Sequence, residues 1–235
     1  MKCILLASGF GMRLYPVTEN TPKGLLPFQG KPVITHILER IPAELDIHVT
    51  TNLRFEAQFR LWQEEQERKV SLSVEPVACE DQRLGAVGSI EYFIRANSID
   101  DDLLVIASDN YFDFNVKDFM AHFDGRLALN AVYDIGSLDE ARQFGVVNLS
   151  GDRIKTLDEK PENPASSLIS TACYIFPARV LPVLADYCRT GRRDNLGDFI
   201  SHLVRGDGVR VYVFRGVWFD IGSLWPRLNA GELRT

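Results

Sequence analysis

Apolar and polar positions along this chain follow two different periods, and each period predicts a type of element. Short apolar runs bounded by turn residues predict strands over 2–7, 46–51, 70–75, 103–107, 127–133, 144–149, 171–176 and 209–214. Apolar residues that recur every three or four positions predict helices over 31–40, 53–67, 85–96, 115–123, 138–142, 177–189 and 196–205. Strands alternate with helices through the first half, whereas 127–176 is richer in strands. The pattern predicts an α/β fold with a doubly wound, mostly parallel sheet flanked by helices.

Composition and charge limit the class of protein further. The 235 residues are 46% hydrophobic and 25% charged, which suits one large globular domain. A net charge of −6 argues against a nucleic-acid partner. No apolar run approaches the roughly 20 residues that cross a bilayer, and the chain starts with a predicted strand instead of a signal peptide. The four cysteines are far apart and form no C-x-x-C, which favours free thiols in the cytoplasm.

A glycine-rich loop follows the first predicted strand. Gly9 and Gly11 allow the backbone to approach a phosphate, and Arg13 and Lys23 add the positive charge that a polyphosphate needs. The dinucleotide fingerprint is excluded because Leu14 stands where its third glycine belongs. The Walker A pattern is excluded because the only Gly-Lys pair continues with proline. The loop therefore predicts a triphosphate cradle at the carboxyl end of the first strand.

A carboxylate follows a second buried strand, the one predicted over 103–107. Asp109 comes directly after this strand, and strand ends of this kind face the ligand crevice in open α/β sheets. We therefore expect Asp109 on the same edge as the glycine loop. There it would hold a Mg²⁺ ion that bridges phosphate oxygens. A helix cap or an Asx turn is the alternative interpretation.

The string G-x-G-x-R-L-x-P-x-T-x-x-x-P-K over residues 9–23 resembles the signature of the sugar-phosphate nucleotidyltransferases, also called nucleoside-diphosphate-sugar pyrophosphorylases. The likeness is to short, single-domain, glucose-1-phosphate thymidylyltransferase-like members with a Rossmann-like fold. It implies one domain over 1–235, with a nucleotide-binding part at about 1–125 and a small, strand-rich sugar-phosphate part at about 126–225. It implies the following nucleotide-binding residues: Leu6, Ala7, Ser8, Gly9, Gly11, Glu75, Gly85 and Asp109.

Two stretches of the second half resemble the part of the family that holds the sugar phosphate. Residues 144–147 resemble the family motif Y-G-V-V, and residues 159–161 match E-K-P. By this likeness, Gly145 contacts the sugar through its backbone, Glu159 accepts hydrogen bonds from sugar hydroxyls and Lys160 contacts the phosphate. Thr171 belongs to a stretch that resembles N-A-G-I-Y-x-F, but with Ser170 for Asn and Ala172 for Gly. We expect Thr171 to contact the sugar phosphate as well.

A further stretch, 217–223, resembles the family's W-x-D-I/T-G motif. The resemblance implies that Asp220 binds Mg²⁺ together with Asp109, although the two residues are far apart in the sequence. Residues 108–110 resemble the family's G-D-N stretch, with Ser108 in place of the usual Gly. In the glycine loop, Ser8 replaces the usual Ala or Gly. The basic segment 191–195 is interpreted as a solvated turn before a helix.

The family resemblance implies an enzyme in which a sugar 1-phosphate oxygen attacks the α-phosphorus of a nucleoside triphosphate and pyrophosphate leaves. Arg13, Lys23 and Lys160 would be the catalytic cations. Two other functions stay open: a cytidylyltransferase acting on phosphocholine or another non-sugar phosphate, and a non-catalytic regulator that binds a sugar nucleotide. The substrates would be these small molecules, with neither nucleic acid nor membrane as a partner, and the protein would be a monomer or a small homo-oligomer.

The nucleobase depends on Glu75, which precedes a proline where thymidylyl- and uridylyl-transferring relatives carry Gln. An ionised carboxylate only accepts hydrogen bonds. A Glu75 that faces the base would therefore favour GTP or CTP over UTP or dTTP. The alternative is a Glu75 that points to solvent.

Overall fold

Within residues 1–223 and 225, which a computed structural model describes, a nine-stranded sheet crosses the whole protein. The strands are β1 (Lys2–Leu6), β2 (Pro27–Phe28), β3 (Lys31–Pro32), β4 (Asp46–Asn52), β5 (Val70–Glu75), β6 (Leu103–Ala107), β7 (Asn110–Phe112), β8 (Ala128–Asp134), β9 (Gly145–Ser150), β10 (Arg153–Glu159), β11 (Leu168–Phe176), β12 (Val209–Phe214) and β13 (Trp218–Asp220). The helices are α1 (Val33–Arg40), α2 (Glu56–Glu64), α3 (Ala86–Asn97), α4 (Val116–Ala121), α5 (Leu138–Ala141), α6 (Leu181–Arg189) and α7 (Leu196–Arg205).

The order of strands in the large sheet is β5-β4-β1-β6-β11-β8-β12-β10-β9. The first four of these strands run parallel, as the alternation of strands and helices predicts. Strand β11 then runs antiparallel to both of its neighbours, β8 and β12 are parallel, and β9 and β10 form an antiparallel hairpin. The sheet is therefore parallel on the side of the glycine loop and mixed on the strand-rich side.

Side chains alternate between the two faces of the sheet and build a core on each. Leu5 faces the layer that contains α1, α2 and α4, whereas its neighbour Ile4 faces the layer that contains α3, α6 and α7. The central strands are buried on both faces, which explains their nearly continuous apolar runs. The α/β class with helices on both sides of the sheet is confirmed. No helix in the described part of the chain is long and apolar enough to cross a membrane.

Several short strands lie where the periodicity predicted none. Helix α1 begins at Val33 instead of residue 31, because Lys31 and Pro32 pair with β2. The short ribbon of β7 and β13 lies apart from the large sheet. Strands of two or three residues are too short to show an alternation of apolar and polar positions.

The ribbon of β7 and β13 joins two distant parts of the sequence. Asp220 pairs with Asn110, and the backbone N–H of Ile221 donates to the carbonyl of Asp109 at 2.8 Å. The indole N–H of Trp218 donates to the side chain of Asn110 at 3.0 Å. These backbone and side-chain bonds fix the segment around Asp220 beside the carboxyl end of β6.

Candidate active site

A cavity of about 520 Å³ opens at the carboxyl ends of β1, β5 and β6. Ligand crevices of open α/β sheets lie at this edge. Its walls bring together residues from both halves of the chain. The predicted site residues that line it are Leu6, Ala7, Ser8, Gly9, Gly11, Lys23, Glu75, Gly85, Asp109, Glu159 and Lys160.

The glycine loop forms one wall, and its backbone is open to the cavity at Gly9, where a Cβ atom would meet nothing within 4 Å. Gly11 has a φ of +70°, and a Cβ atom there would lie 3.0 Å from the Cβ of Thr18. The hydroxyl of Thr18 donates to the carbonyl of Gly11 at 2.7 Å. Gly11 therefore meets both conditions that require glycine, a left-handed backbone and a close neighbour.

Arg13 lies beside this wall instead of in it. It is exposed in the 3₁₀ turn Met12–Leu14 and does not line the cavity. Its positive charge nevertheless opposes the rise in the pKa of Lys23. Arg13 thus lies within electrostatic range of Lys23.

Lys23 stands between the two aspartates. Its ammonium nitrogen is 3.3 Å from Oδ2 of Asp109, and a Cβ atom on Gly222 would lie 3.3 Å from that nitrogen and 3.0 Å from Oδ1 of Asp220. Burial, followed by the charge of Asp109, raises the pKa of Asp220 to about 6. Burial alone would lower the pKa of Lys23, but the two carboxylates raise it. Asp109 and Asp220 therefore lie near each other, with a half-buried lysine close to both.

The two carboxylates supply hard oxygen donors of the type that Mg²⁺ prefers. Across residues 1–223 and 225, no group of three or more His, Cys, Asp and Glu side chains could hold a metal ion. Magnesium is commonly bound by only one or two carboxylates together with phosphate oxygens and waters. The pair Asp109 and Asp220 fits a cation that completes its coordination with such groups.

Glu75 ends β5 inside the cavity and does not point to solvent. It is 1% exposed, and its Oε1 has no hydrogen-bond partner among the described residues. Burial raises its pKa, and the nearby hydroxyls of Ser8 and Ser89 oppose that rise. Those two hydroxyls are 3.0 Å from each other. The alternative in which Glu75 faces solvent is wrong.

The opposite wall contains Glu159 and Lys160, which form an ion pair at 3.8 Å. A Cβ atom on Gly145 would lie 3.1 Å from Oε2 of Glu159, and one on Gly197 would lie 2.6 Å from the same oxygen. Two glycines on different elements thus leave room for this carboxylate. Gly145 itself is buried behind Glu159 and does not line the cavity.

Thr171 is not at the cavity surface. Its hydroxyl donates to the carbonyl of Ala131 at 2.8 Å, and the residue is 2% exposed. The next residue, Ala172, lines the cavity instead, with a φ of +52°. The register of β11 shifts between Ser170 and Tyr174, which changes the side of the strand that each residue faces. Thr171 is therefore not placed to contact a ligand in this cavity, which corrects the prediction.

The segment 191–195 is a mostly exposed turn before α7, as predicted, and it also forms part of the cavity wall. Asp194 and Asn195 line the cavity, and the carbonyls of Arg193 and Asp194 accept hydrogen bonds from the first N–H groups of α3. Gly85, at a φ of +77°, permits this contact, because a Cβ atom there would lie 2.4 Å from the carbonyl oxygen of Arg193. Asn195 caps α7 through a 2.7 Å bond from the N–H of Gly197. Its sequence signal is that of an ordinary cap, so the cavity contact was not predicted.

An open α/β sheet whose cavity combines a glycine loop, a lysine and strand-end carboxylates defines a nucleotide-binding protein of the Rossmann-like type. The family model described as nucleotidyl transferase matches residues 2–230. The chain belongs to this family.

Individual relatives agree with the family. Over 99% of its length, the chain is 28% identical to the bifunctional protein GlmU of Methanocaldococcus jannaschii. Over 94% of its length, it is 27% identical to a protein of Sulfolobus acidocaldarius described as a candidate mannose-1-phosphate guanyltransferase. It spans only 54% and 60% of the length of these relatives. A crystal structure from Bacillus anthracis, described as a candidate glucose-1-phosphate thymidylyltransferase, matches with a TM-score of 0.85 at 23% identity, covering 100% of this chain and 97% of that one. This last match confirms the fold.

Proposed function

We propose that this protein joins a nucleoside triphosphate to a sugar 1-phosphate, giving a nucleoside-diphosphate sugar and pyrophosphate. The observation that carries the proposal is the single cavity lined by the glycine loop, the Lys23–Asp109 pair and the Glu159–Lys160 pair. One wall suits a polyphosphate, and the other suits a hydroxyl-bearing phosphate. The family and the names of the relatives support this reaction class.

In this proposal the attacking group is an oxygen of the sugar phosphate, which is already an anion and needs no strong base. This chain therefore contributes positioning and positive charge. Lys23 steadies the α-phosphate and Arg13 the leaving pyrophosphate. Lys160 holds the sugar phosphate, while Glu159 accepts hydrogen bonds from sugar hydroxyls. Water is displaced from the cavity by the substrates themselves.

Asp109 and Asp220 would hold Mg²⁺ in this proposal. Its support is the pairing of the segments that carry the two carboxylates, with Asp220 opposite Asn110 and the N–H of Ile221 bonded to the carbonyl of Asp109. When bound, the ion supplies neutralising charge to the phosphate oxygens. We further propose a cytoplasmic protein that acts as a monomer or a small homo-oligomer, without nucleic-acid or membrane partners.

Pyrophosphate release tests the reaction class. The wild-type protein would be incubated with Mg²⁺ and each pairing of GTP, CTP, UTP, dTTP and ATP with a set of sugar 1-phosphates, and with phosphocholine as a non-sugar acceptor. We expect release that requires both a triphosphate and a sugar 1-phosphate. Release with phosphocholine alone would assign a cytidylyltransferase type of reaction, and binding without release would assign a regulator. Either result would overturn the proposal.

A further inference from the structure

The carbonyl of Ser8 in the glycine loop is held by a side chain that lies outside the cavity. The side-chain N–H₂ of Asn52, the last residue of β4, donates to this carbonyl at 2.7 Å. Asn52 is fully buried and does not line the cavity. The carbonyl of Ser8 therefore points into the interior of the protein, away from the space that a ligand would occupy.

A second hydrogen bond fixes the orientation of the Asn52 amide. Its Oδ1 accepts from the backbone N–H of Phe55, the residue before α2, at 3.1 Å. Because a backbone N–H only donates, this bond turns the amide oxygen towards Phe55 and leaves the N–H₂ group for Ser8. The Asn52 side chain thus connects the start of α2 to the glycine loop through two hydrogen bonds in the buried interior.

The peptide bond after Ser8 carries this orientation to Gly9. The bond is trans, and in a trans peptide the carbonyl and the following N–H point in opposite directions. Since the carbonyl of Ser8 is turned inwards, the N–H of Gly9 is turned towards the cavity, which Gly9 lines. Within residues 1–223 and 225, nothing accepts a hydrogen bond from this N–H. A free backbone N–H in a cavity wall is a donor for an anion.

We propose that Asn52 is a positioning residue that keeps the N–H of the Ser8–Gly9 peptide directed at the triphosphate. This inference rests on the proposed nucleotidyl transfer and adds the residue that sets the direction of one donor in the loop. Without Asn52, the carbonyl of Ser8 loses its partner in the interior, and the peptide can turn over because glycine accepts both signs of φ. A reversed peptide would present its carbonyl oxygen to the phosphates and repel them. Asn52 itself touches neither substrate.

Two variants test this role. In Asn52→Asp an ionised carboxylate still accepts from the N–H of Phe55 but donates nothing to Ser8, and Asn52→Leu removes the donor at every pH with a side chain of similar size. Calorimetric titration with inorganic tripolyphosphate and Mg²⁺ at pH 8 measures phosphate binding without a base or an acceptor. We expect the affinity of both variants to fall by about 10-fold or more. KM for the nucleoside triphosphate should rise by a similar factor, while KM for the sugar 1-phosphate changes little.

The matched control is Gln63→Glu on α2. It makes the same change from an amide to a carboxylate at a side chain that donates to a backbone carbonyl, that of Val70, at 2.6 Å. Val70 begins β5 at the edge of the sheet opposite the cavity. A purely structural loss of such a bond should lower the thermal stability of Gln63→Glu and leave its affinity for tripolyphosphate unchanged.

A measurement on the wild type keeps the test decisive if neither variant folds. In protein labelled with ¹⁵N-glycine, tripolyphosphate should shift the amide resonance of Gly9 and slow its exchange with solvent. An unchanged Gly9 amide, or wild-type affinity in the folded Asn52 variants, would overturn the positioning role while leaving the nucleotidyl transfer intact. Weakened tripolyphosphate binding in these variants of a protein that releases no pyrophosphate would uphold the positioning role and refute the transfer.

Discussion

The ammonium nitrogen of Lys23 lies 3.3 Å from a carboxylate oxygen of Asp109, although five strands and three α-helices separate the two residues in the sequence. Asp220 is close to the same ammonium group, so one positive charge partly neutralises two half-buried negative charges. Burial of Asp220, followed by the negative charge of Asp109, raises the pKa of Asp220. In the proposed function, a cation and the substrate phosphates join these three groups.

Loss of either aspartate should impair catalysis without unfolding the protein. We expect Asp109→Asn to lower kcat by about 10²-fold or more at saturating Mg²⁺, because the neutral amide binds the cation weakly. Asp118→Asn, at an exposed position on α4, serves as the control for the same chemical change. Near-normal kcat in Asp109→Asn, with a normal thermal transition, would refute the metal-binding role.

The raised pKa of Asp220 makes a separate prediction about stability. In the folded protein the carboxyl group of Asp220 keeps its proton up to a pH of about 6, whereas in the unfolded chain it releases the proton near pH 3.8. The contribution of protonated Asp220 to the free energy of unfolding is therefore fully present below the pKa of the unfolded chain. It is lost as the pH rises through the pKa of the folded protein. In metal-free buffer at pH 8, Asp220→Asn should melt a few degrees higher than the wild type. The difference should shrink at pH 5, and an equal or larger difference at pH 5 would contradict the assignment.

Arg13 offers a test of the triphosphate cradle. The side chain is exposed and makes no ion pair or side-chain hydrogen bond within residues 1–223 and 225, so its removal should change the free energy of unfolding by less than about 0.5 kcal/mol. We expect Arg13→Ala to lower turnover by about 10-fold or more, since it loses charge opposite the leaving pyrophosphate. Arg95→Ala on α3 removes an exposed arginine elsewhere and should leave turnover unchanged. A destabilised Arg13→Ala protein with normal turnover in its folded fraction would show that Arg13 is structural.

The packing of Glu159 against two glycines predicts that a larger residue at one of them weakens the binding of the sugar 1-phosphate. In Gly197→Ala the new methyl group would lie 2.6 Å from Oε2 of Glu159 and must displace that carboxylate. We expect KM for the sugar 1-phosphate to rise by about 10-fold or more while KM for the triphosphate changes little. Gly206→Ala, just beyond the other end of α7, meets only ordinary contacts at 3.7 and 3.8 Å and is the matched control. If both substitutions changed KM for the sugar 1-phosphate equally, Glu159 would have no role in binding that substrate.

The half of the site formed by parallel strands follows directly from the sequence. Leu6 at the end of β1 pairs with Ala107 at the end of β6, so the glycine loop and Asp109 meet at one edge, as strand ends of a parallel sheet must. Glu75 ends β5 at the same edge. Local periodicity and short-range motifs are sufficient here because neighbouring parallel strands carry their loops to a common side.

The other half depends on contacts that periodicity does not specify. A shift in the register of β11 turns Ala172 instead of Thr171 towards the cavity, and a shift of one residue reverses the side that each residue faces. Asn195 reaches the cavity because α7 packs against β10 from a distant part of the sequence. The meeting of Asp220 with Asp109 came only from the family resemblance, since the ribbon that joins them is three residues long on each strand.

Identification of the product by mass spectrometry tests the central claim most directly. The wild-type protein, Mg²⁺, a triphosphate and a sugar 1-phosphate should give a nucleoside-diphosphate sugar in equal amount to the pyrophosphate released. The same sugar without its phosphate should give no product, because the phosphate oxygen is the attacking group. A product formed equally well from phosphocholine, or triphosphate consumed without any acceptor, would contradict the account.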